Sequence, residues 1–189
     1  SEWGVYYVDA KTGEATQFTQ DHNNPKSIGD QFSRSVIVDI HDRIWIGTRT
    51  SLELFNPQEK SFTHYPTKTE VLCIMENPDG KLILGCHDGR YMFDPENGGK
   101  LDKLPGNGYT QSVIRDRQGI VWTSSLRGLQ QFNPNHNKFN IYRHFGTHIG
   151  DIVEDINHEL WIAVKDQEIG TTVIRLSQSL GRVYDYPTS

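Results

Sequence analysis

One apolar segment recurs four times in this 189-residue chain at an almost constant spacing. The segments are Ile44–Thr48, Leu82–Cys86, Val121–Ser125 and Leu160–Val164, and their starts are 38, 39 and 39 residues apart. Self-similarity at a fixed period is the signature of a protein built from repeated supersecondary units. The period therefore constrains the fold before any other property of the sequence does.

A second anchor supports the same period. An aromatic residue followed by Asn or Asp and then by Pro occurs at Phe55–Pro57, Phe93–Pro95 and Phe132–Pro134, again 38 and 39 residues apart. Tyr65 and Tyr142 each stand eight residues after a proline of this element. The fourth repeat is longer after its apolar segment, which places its equivalent positions at Leu176 and Tyr186.

Each repeat is predicted to form four short strands. In the first repeat they cover residues 36–40, 44–48, 52–55 and 62–65, which are rich in β-branched and aromatic residues. The second strand is apolar on both faces, which favours a sheet packed between two other sheets over a sheet with one wet face. Blades arranged radially provide that burial, so the predicted fold is an all-β propeller.

The turns between the first two strands share one pattern. Each begins with Asp or Asn and runs for four residues, at Asp39–Asp42, Asn77–Gly80, Asp116–Gly119 and Asp155–His158. The pattern is typical of a type I turn followed by a left-handed residue, with the first side chain capping the turn. Asp42 and His158 are therefore expected at positive φ, which these residue types tolerate.

The turn assignment also bears on the two cysteines. It pairs Asn77 with Lys81, and hence Cys73 with Gly85 and Leu72 with Cys86. The two sulfur atoms would then project from opposite faces of one hairpin, out of bonding geometry. Two buried thiols are expected instead of a disulfide.

The N-terminal residues match only the second half of a repeat. Val8 falls at the position of Phe55, and Phe18 falls at that of Tyr65. The sequence thus predicts a single propeller segment over residues 1–189, with four complete blades and the two outer strands of a fifth, taken from a longer array. The expected blades cover about 4–18 (partial), 33–65, 71–104, 111–142 and 149–186.

Composition excludes several classes of function. The net charge is −5, and its acidic and basic residues are interspersed, which is unlike the basic surface that a nucleic-acid partner requires. The apolar runs are too short to insert into a membrane. Two cysteines are too few for a zinc site of the Cys₄ type. No metal and no cofactor is expected.

Recognition is expected at one end of the sheets, where the second-to-third loops meet the inter-blade connections. The other end is built from stereotyped turns. The candidate ligand-binding residues are Arg49, His87, Asp88, Tyr109, Arg127, Lys165 and Asp166, with Gln167, Glu168, Phe32 and Phe145 beside them. An alternative is that these are solvated loop residues without a ligand.

Other residues are assigned structural roles. Trp45, Ile83, Trp122 and Trp161 occupy equivalent mid-strand positions, which predicts packing between blades rather than platforms for a sugar. His144 and His148 have i,i+4 spacing, but the surrounding pattern is not helical, so a metal pair is not expected. Asp151, Glu154 and Asp155 cluster at strand and turn positions. No catalytic centre is predicted.

Two stretches, Asp39–Tyr65 and Asp116–Tyr142, resemble the two-component-regulator propeller repeat. The shared pattern is Asp-x-x-Gly, Leu-Trp-Ile-Gly-Thr, x-x-Gly-Leu, aromatic-Asn/Asp-Pro and Phe-x-x-Tyr. The connection Asp21–Asp30 also resembles the link between blades in this family. The second repeat departs from the pattern at Ile83, and the fourth lacks the Phe-Asn-Pro element.

This resemblance implies the periplasmic sensor region of a hybrid two-component histidine kinase of Bacteroides type. Such a module is expected to detect oligosaccharides and to relay the signal to a kinase elsewhere in its chain. Its implied partners are an oligosaccharide, the remainder of its own chain and a second copy in a homodimer. The alternatives are a propeller lyase or hydrolase and a protein-interaction scaffold.

Overall fold

The computed structural model describes residues 4–126, 128–133, 138–142, 148–166, 170–177 and 182–187. Short strands dominate it, with one 3₁₀ turn at Pro95–Asn97. The strands are β1 (Val5–Val8), β2 (Ala15–Phe18), β3 (Ser33–Val38), β4 (Ile44–Thr48), β5 (Ser51–Asn56), β6 (Ser61–Pro66), β7 (Val71–Glu76), β8 (Leu82–Cys86), β9 (Gly89–Asp94), β10 (Lys100–Asn107), β11 (Thr110–Arg115), β12 (Val121–Ser125), β13 (Gly128–Asn133), β14 (Lys138–Tyr142), β15 (His148–Glu154), β16 (Glu159–Asp166), β17 (Gly170–Ser177) and β18 (Arg182–Pro187).

The strands form five antiparallel sheets in chain order. β1 and β2 make a two-stranded sheet, and the others are four-stranded: β3–β6, β7–β10, β11–β14 and β15–β18. Each is a meander, which needs only short connections between neighbouring strands. The predicted all-β class, with its four-strand repeats, is confirmed.

The chain divides into two compact units. Unit 1 comprises residues 1–87 and 91–104, and unit 2 comprises residues 88–90 and 105–189. In unit 1, Trp45 and Leu52 of one sheet share a core with Leu82, Leu84 and Phe93 of the next. In unit 2, Trp122 and Leu129 pack likewise against residues of β15, β16 and β17. That residues 1–189 form a single propeller segment stays a prediction.

The turn after β3 is held by one carboxylate. Asp39 Oδ1 accepts hydrogen bonds from the backbone N–H groups of His41 (3.0 Å) and Arg43 (2.9 Å), and Oδ2 accepts from Trp45 Nε1 (2.8 Å). Arg43 Nε also donates to Oδ2 at 2.6 Å. Burial alone would raise the pKa of Asp39, but these donors outweigh it and the pKa is lowered.

The same arrangement recurs in two further repeats. Trp122 Nε1 donates to Asp116 Oδ2 at 2.7 Å, and Trp161 Nε1 donates to Asp155 Oδ2 at 2.9 Å. The second repeat has Asn77 and Ile83 at these positions. Sequence reasoning identified the capped turn but not the bond to the indole, because the two residues belong to separate motifs.

The turns otherwise follow the prediction. Asp42 has φ 58° and His158 has φ 63°, and Gly80 and Gly119 occupy the same position at 78° and 83°. The strand predicted over 36–40 instead covers Ser33–Val38, because Asp39 already belongs to the turn.

A β-bulge in the first strand corrects part of the predicted register. Cys73 pairs with Gly85 as predicted, but Val71 pairs with Cys86, so the predicted pairing of Leu72 with Cys86 is wrong. Leu72 is the extra residue that a bulge inserts into one strand. Cys73 and Cys86 form no disulfide; Cys86 is buried, whereas Cys73 is only half-buried.

Each unit also ties its two larger sheets together through a glutamate. Ile40 N donates to both carboxylate oxygens of Glu76 at 3.1 Å in unit 1. In unit 2, Arg117 N donates to Glu154 Oε2 at 3.0 Å. The equivalent glutamate therefore links a turn to the following sheet in both units.

Replacing Trp122 with alanine is expected to lower the free energy of unfolding by about 3–5 kcal/mol. The indole is 2% exposed, so its loss leaves a cavity and removes the donor to Asp116. Urea denaturation of the variant and the parent chain measures the difference. Leu126→Ala is the control, because Leu126 is 54% exposed and should change stability by less than about 0.5 kcal/mol. Equal midpoints for Trp122→Ala and the parent chain would contradict the packing role.

Candidate functional site

Loops and connections meet at one end of the sheets in unit 1. Arg49 N, after β4, donates to Phe32 O at 3.2 Å, and His87 N, after β8, donates to Glu70 O at 3.1 Å. Donor and acceptor are displaced by the same repeat period in the two bonds. We call the side chains of Asp30, Phe32, Arg34, Arg49, Glu70 and His87 the unit 1 rim.

Three groups of the rim converge around Arg49. Its guanidinium lies 4.2 Å from the centre of the Phe32 ring, and its Nε lies 3.4 Å from Asp30 Oδ2. Asp30 Oδ1 accepts from Phe32 N at 2.9 Å, which fixes the carboxylate beside the ring. The Arg49 side chain is 55% exposed, whereas that of Asp30 is buried. The arrangement offers guanidinium donors to solvent from an anchored base.

A second ion pair extends the rim. Arg34 Nε donates to Glu70 Oε1 at 2.8 Å, with the arginine exposed and the carboxylate mostly covered. The His87 side chain beside this pair along the rim is exposed. The predicted candidates Arg49 and His87 and the aromatic Phe32 thus lie on elements that the backbone hydrogen bonds hold together.

The other sequence candidates are placed separately. Asp88 and Lys165 are exposed and Tyr109 is half-buried, and all three belong to unit 2. Asp166 ends strand β16. Arg127, Phe145, Gln167 and Glu168 lie outside the described residues.

The residues assigned to packing are covered to different degrees. Trp45, Ile83 and Trp122 are buried, so none of them presents a face to a ligand. Trp161 is half-buried, and the Arg175 guanidinium lies 5.9 Å from its ring centre.

The acidic cluster of unit 2 is engaged in structural bonds. Asp151 Oδ1 accepts from Ser112 Oγ at 2.8 Å, and Glu154 Oε1 lies 3.1 Å from His158 Nδ1. His148 begins β15, and His144 lies outside the described residues. Across the part of the chain that the structure describes, no three His, Cys, Asp or Glu side chains are grouped to hold a metal ion. In that same part, no helix is long and apolar enough to cross a bilayer.

Sequence reasoning missed a buried cluster next to the rim. Glu53 on β5 is completely buried; it accepts a hydrogen bond from Ser51 Oγ and bonds to His64 Nδ1 on β6. The other ring nitrogen, Nε2, lies 2.9 Å from Pro25 O in the connection before β3. A signal existed, because Glu53 places a charge at an inward position of the third strand, where the third repeat has buried Gln130.

The histidine in this cluster is favoured in its charged form. Burial by itself lowers the pKa of His64, but the hydrogen bonds to the Pro25 carbonyl and to Glu53, together with the Glu53 charge, outweigh it and raise the pKa. Both ring nitrogens face oxygen acceptors, and only the imidazolium can donate to both. The cluster thus fastens the connection before β3 to strands β5 and β6.

Comparison with solved structures identifies the fold. The extracellular domain of the hybrid two-component system BT3049 from B. thetaiotaomicron matches with a TM-score of 0.81 at 20% identity, covering 100% of this chain and 26% of that chain. The corresponding domain of BT4673 from the same organism matches with a TM-score of 0.75 at 14% identity, covering 98% of this chain and 32% of that one. The chain has a β-propeller fold.

The same propeller fold is shared with an enzyme. Virginiamycin B lyase from Staphylococcus aureus matches with a TM-score of 0.64 at 15% identity, covering 83% of this chain and 56% of the lyase. Neither the protein-family models nor the curated proteins compared with the chain gave a match. The propeller chain spans about a quarter to a third of the length of the two sensor domains.

The His64 cluster is expected to make stability fall as pH rises. A histidine whose pKa is higher in the folded than in the unfolded chain stabilises the fold fully below its unfolded pKa, and this stabilisation is lost as pH rises through the folded pKa. The free energy of unfolding, measured by urea denaturation between about pH 6 and 9, should therefore decline in that window. His64→Gln should remove that part of the decline.

His22→Gln is the matched control, because His22 is an exposed histidine in a turn of the same connection. It should retain the pH dependence of the parent chain. A His64→Gln variant with the parental slope would show that the Glu53–His64 pair does not couple protonation to folding.

Proposed function

We propose that this chain is a ligand-sensing extracytoplasmic module of a two-component signalling protein, located in the periplasm. The observation that supports it most is the similarity to the extracellular domain of BT3049 over the whole chain at a TM-score of 0.81. Because the chain covers only 26% of that domain, the relay to a histidine kinase in the same polypeptide is part of the proposal.

An oligosaccharide is the proposed ligand, and the unit 1 rim is its proposed contact surface. Exposed guanidinium donors next to a fixed carboxylate acceptor match the hydroxyl groups of a sugar, which are both donors and acceptors. The Arg49 guanidinium covers one face of the Phe32 ring. The rim therefore favours polar recognition over stacking on that face.

Arg49 and His87 are the proposed ligand-binding residues of the rim. Further candidates proposed from the sequence are Asp88, Tyr109, Arg127, Lys165 and Asp166.

The rim is mechanically connected to the core of unit 1. Asp30 and Phe32 follow Ile28, which is completely buried against Ile46, Phe55 and Phe62. A ligand that draws Arg49 away from Phe32 would load a segment whose other end is fixed in the core. We propose that occupancy is transmitted along this connection to the remainder of the sensor chain or to a second copy.

The alternative function is a propeller lyase. The observation in its favour is the fold shared with virginiamycin B lyase, at a TM-score of 0.64 over 83% of this chain. The sensor domains match with higher scores and over more of the chain, and they support the sensing role more strongly.

Calorimetric titration of the chain with a panel of neutral and acidic oligosaccharides tests the sensing role. For a sugar that binds, Arg49→Ala and Phe32→Ala should each weaken the affinity at least tenfold, about the effect of removing one charge-assisted contact. Lys11→Ala is the control, because Lys11 is exposed in the turn between β1 and β2, at the other end of its sheet. Chromatography of the same mixtures detects cleavage products.

Two results would contradict this proposal. If no member of the panel binds the folded chain, or if Arg49→Ala binds a positive ligand as tightly as the parent, the rim is not the sensing surface. Release of cleaved product would favour the lyase instead.

A further inference from the structure

Unit 1 contains an apolar cavity beside the two-stranded sheet. Its volume is about 170 Å³, and its lining includes β1, Phe18, Val36, Ile46 and Phe55. A wider cleft of about 350 Å³ lies against Gly4–Tyr6 and Ser33–Val36. We call the cavity and this cleft together the β1 groove.

The pairing register shows which half of a repeat β1 and β2 represent. Val5 pairs with Phe18 and Val8 with Ala15, as Leu52 pairs with Tyr65 and Phe55 with Phe62 in β5 and β6. The other edge of β5 pairs with β4. Among the described residues, β1 has β2 as its strand neighbour and no strand along its second edge. A strand edge of this kind is a template for pairing with another strand.

The surroundings of Trp45 show what the groove is shaped to hold. The indole centre lies 5.7 Å from the Tyr65 ring and 5.3 Å from the Phe93 ring, and those two rings are 5.0 Å apart in an edge-to-face contact. Leu82 and Leu84 belong to the same core.

One repeat earlier, the equivalent residues line the cavity. Phe18 and Phe55 replace Tyr65 and Phe93, and their rings are also 5.0 Å apart and edge-to-face. Ile44 and Ile46 replace Leu82 and Leu84. The cavity therefore reproduces, residue by residue, the site that an indole fills in the next sheet.

Exposure of the first strand supports the same reading. Val36 is 64% exposed, whereas its equivalents Ile74, Val113 and Ile152 are 8%, 7% and 3% exposed. Tyr6 and Val8 on the facing strand are 46% and 56% exposed. A contiguous apolar surface of this kind marks an interaction site.

We propose that the β1 groove binds a two-strand hairpin of this same repeat, carrying a tryptophan in the middle of its second strand. That strand pairs antiparallel with β1, with the tryptophan opposite Tyr7, as Trp45 is opposite Leu54, and its indole fills the cavity. The first strand of the hairpin covers Val36.

The hairpin comes from a repeat outside residues 4–187. In the repeats within this range, the first two strands are already paired into four-stranded sheets, so a second copy would have to open one of its own sheets to supply a hairpin. The mode of binding is strand addition, with backbone hydrogen bonds giving affinity and the indole pocket giving selectivity.

A labelled peptide with the sequence of residues 110–125 tests the groove, because it contains a complete hairpin of this type with Trp122. Fluorescence anisotropy should show saturable binding to the 189-residue chain. The same peptide with Trp122→Ala should bind at least tenfold more weakly, and so should the intact peptide to a Val36→Lys chain. Ile40→Lys is the matched control, since Ile40 is 69% exposed and does not line the groove.

A fusion removes the dependence on a short peptide folding alone, which isolated hairpins do poorly. Residues 110–125 are added before Ser1 through a short Gly/Ser linker, which raises the effective concentration of the hairpin. The fusion should unfold at a higher temperature than the parent chain, and Trp122→Ala in the added copy should abolish the increase.

No increase in the unfolding temperature of the fusion would overturn the proposal, as would equal binding of both peptides. Sedimentation at the concentrations used is the last arm. A dimer that forms through the groove, is broken by Val36→Lys and excludes the peptide would show that a second copy is the occupant and would also overturn it.

Discussion

The hydrogen bond between a turn carboxylate and a buried indole is the interaction on which the sheets of this protein depend. In three repeats one Asp caps the turn after the first strand with one oxygen and receives the Trp Nε1–H of the second strand with the other. A buried N–H without an acceptor would cost free energy comparable to a lost hydrogen bond. One residue therefore fixes the turn, satisfies the indole and holds it against the next sheet.

The second repeat shows what happens where this bond is not available. Asn77 and Ile83 replace the pair, and Ile83 is buried without any polar atom to satisfy. Packing in this sheet is supplied by Leu82, Leu84 and Phe93 around Trp45. The repeat thus tolerates the loss of the polar bond when the polar group itself is also removed, as expected for paired hydrogen-bonding groups.

The groups suited to binding lie where the repeat is least constrained. The turns at one end are fixed by Asx caps and positive φ, whereas the rim is fixed only by backbone bonds such as Arg49 N to Phe32 O. Side chains there are consequently variable without cost to the fold. The buried Glu53–His64 pair lies just beneath and fastens the Pro25 connection, so the base of the rim is rigid while Arg49 is exposed.

The sequence by itself determined the four-strand repeat, its turns and its propeller class, because each depends on local spacing that repeats four times. It also placed Arg49 and Phe32 at one end of the sheets. It did not reveal the bulge at Leu72, the stacking of Arg49 on Phe32 or the Glu53–His64–Pro25 cluster. These join residues up to 39 positions apart through side-chain geometry. The indole-shaped cavity beside β1 was likewise decided only in three dimensions, because it is formed by side chains from four strands and depends on which of them a further strand leaves exposed.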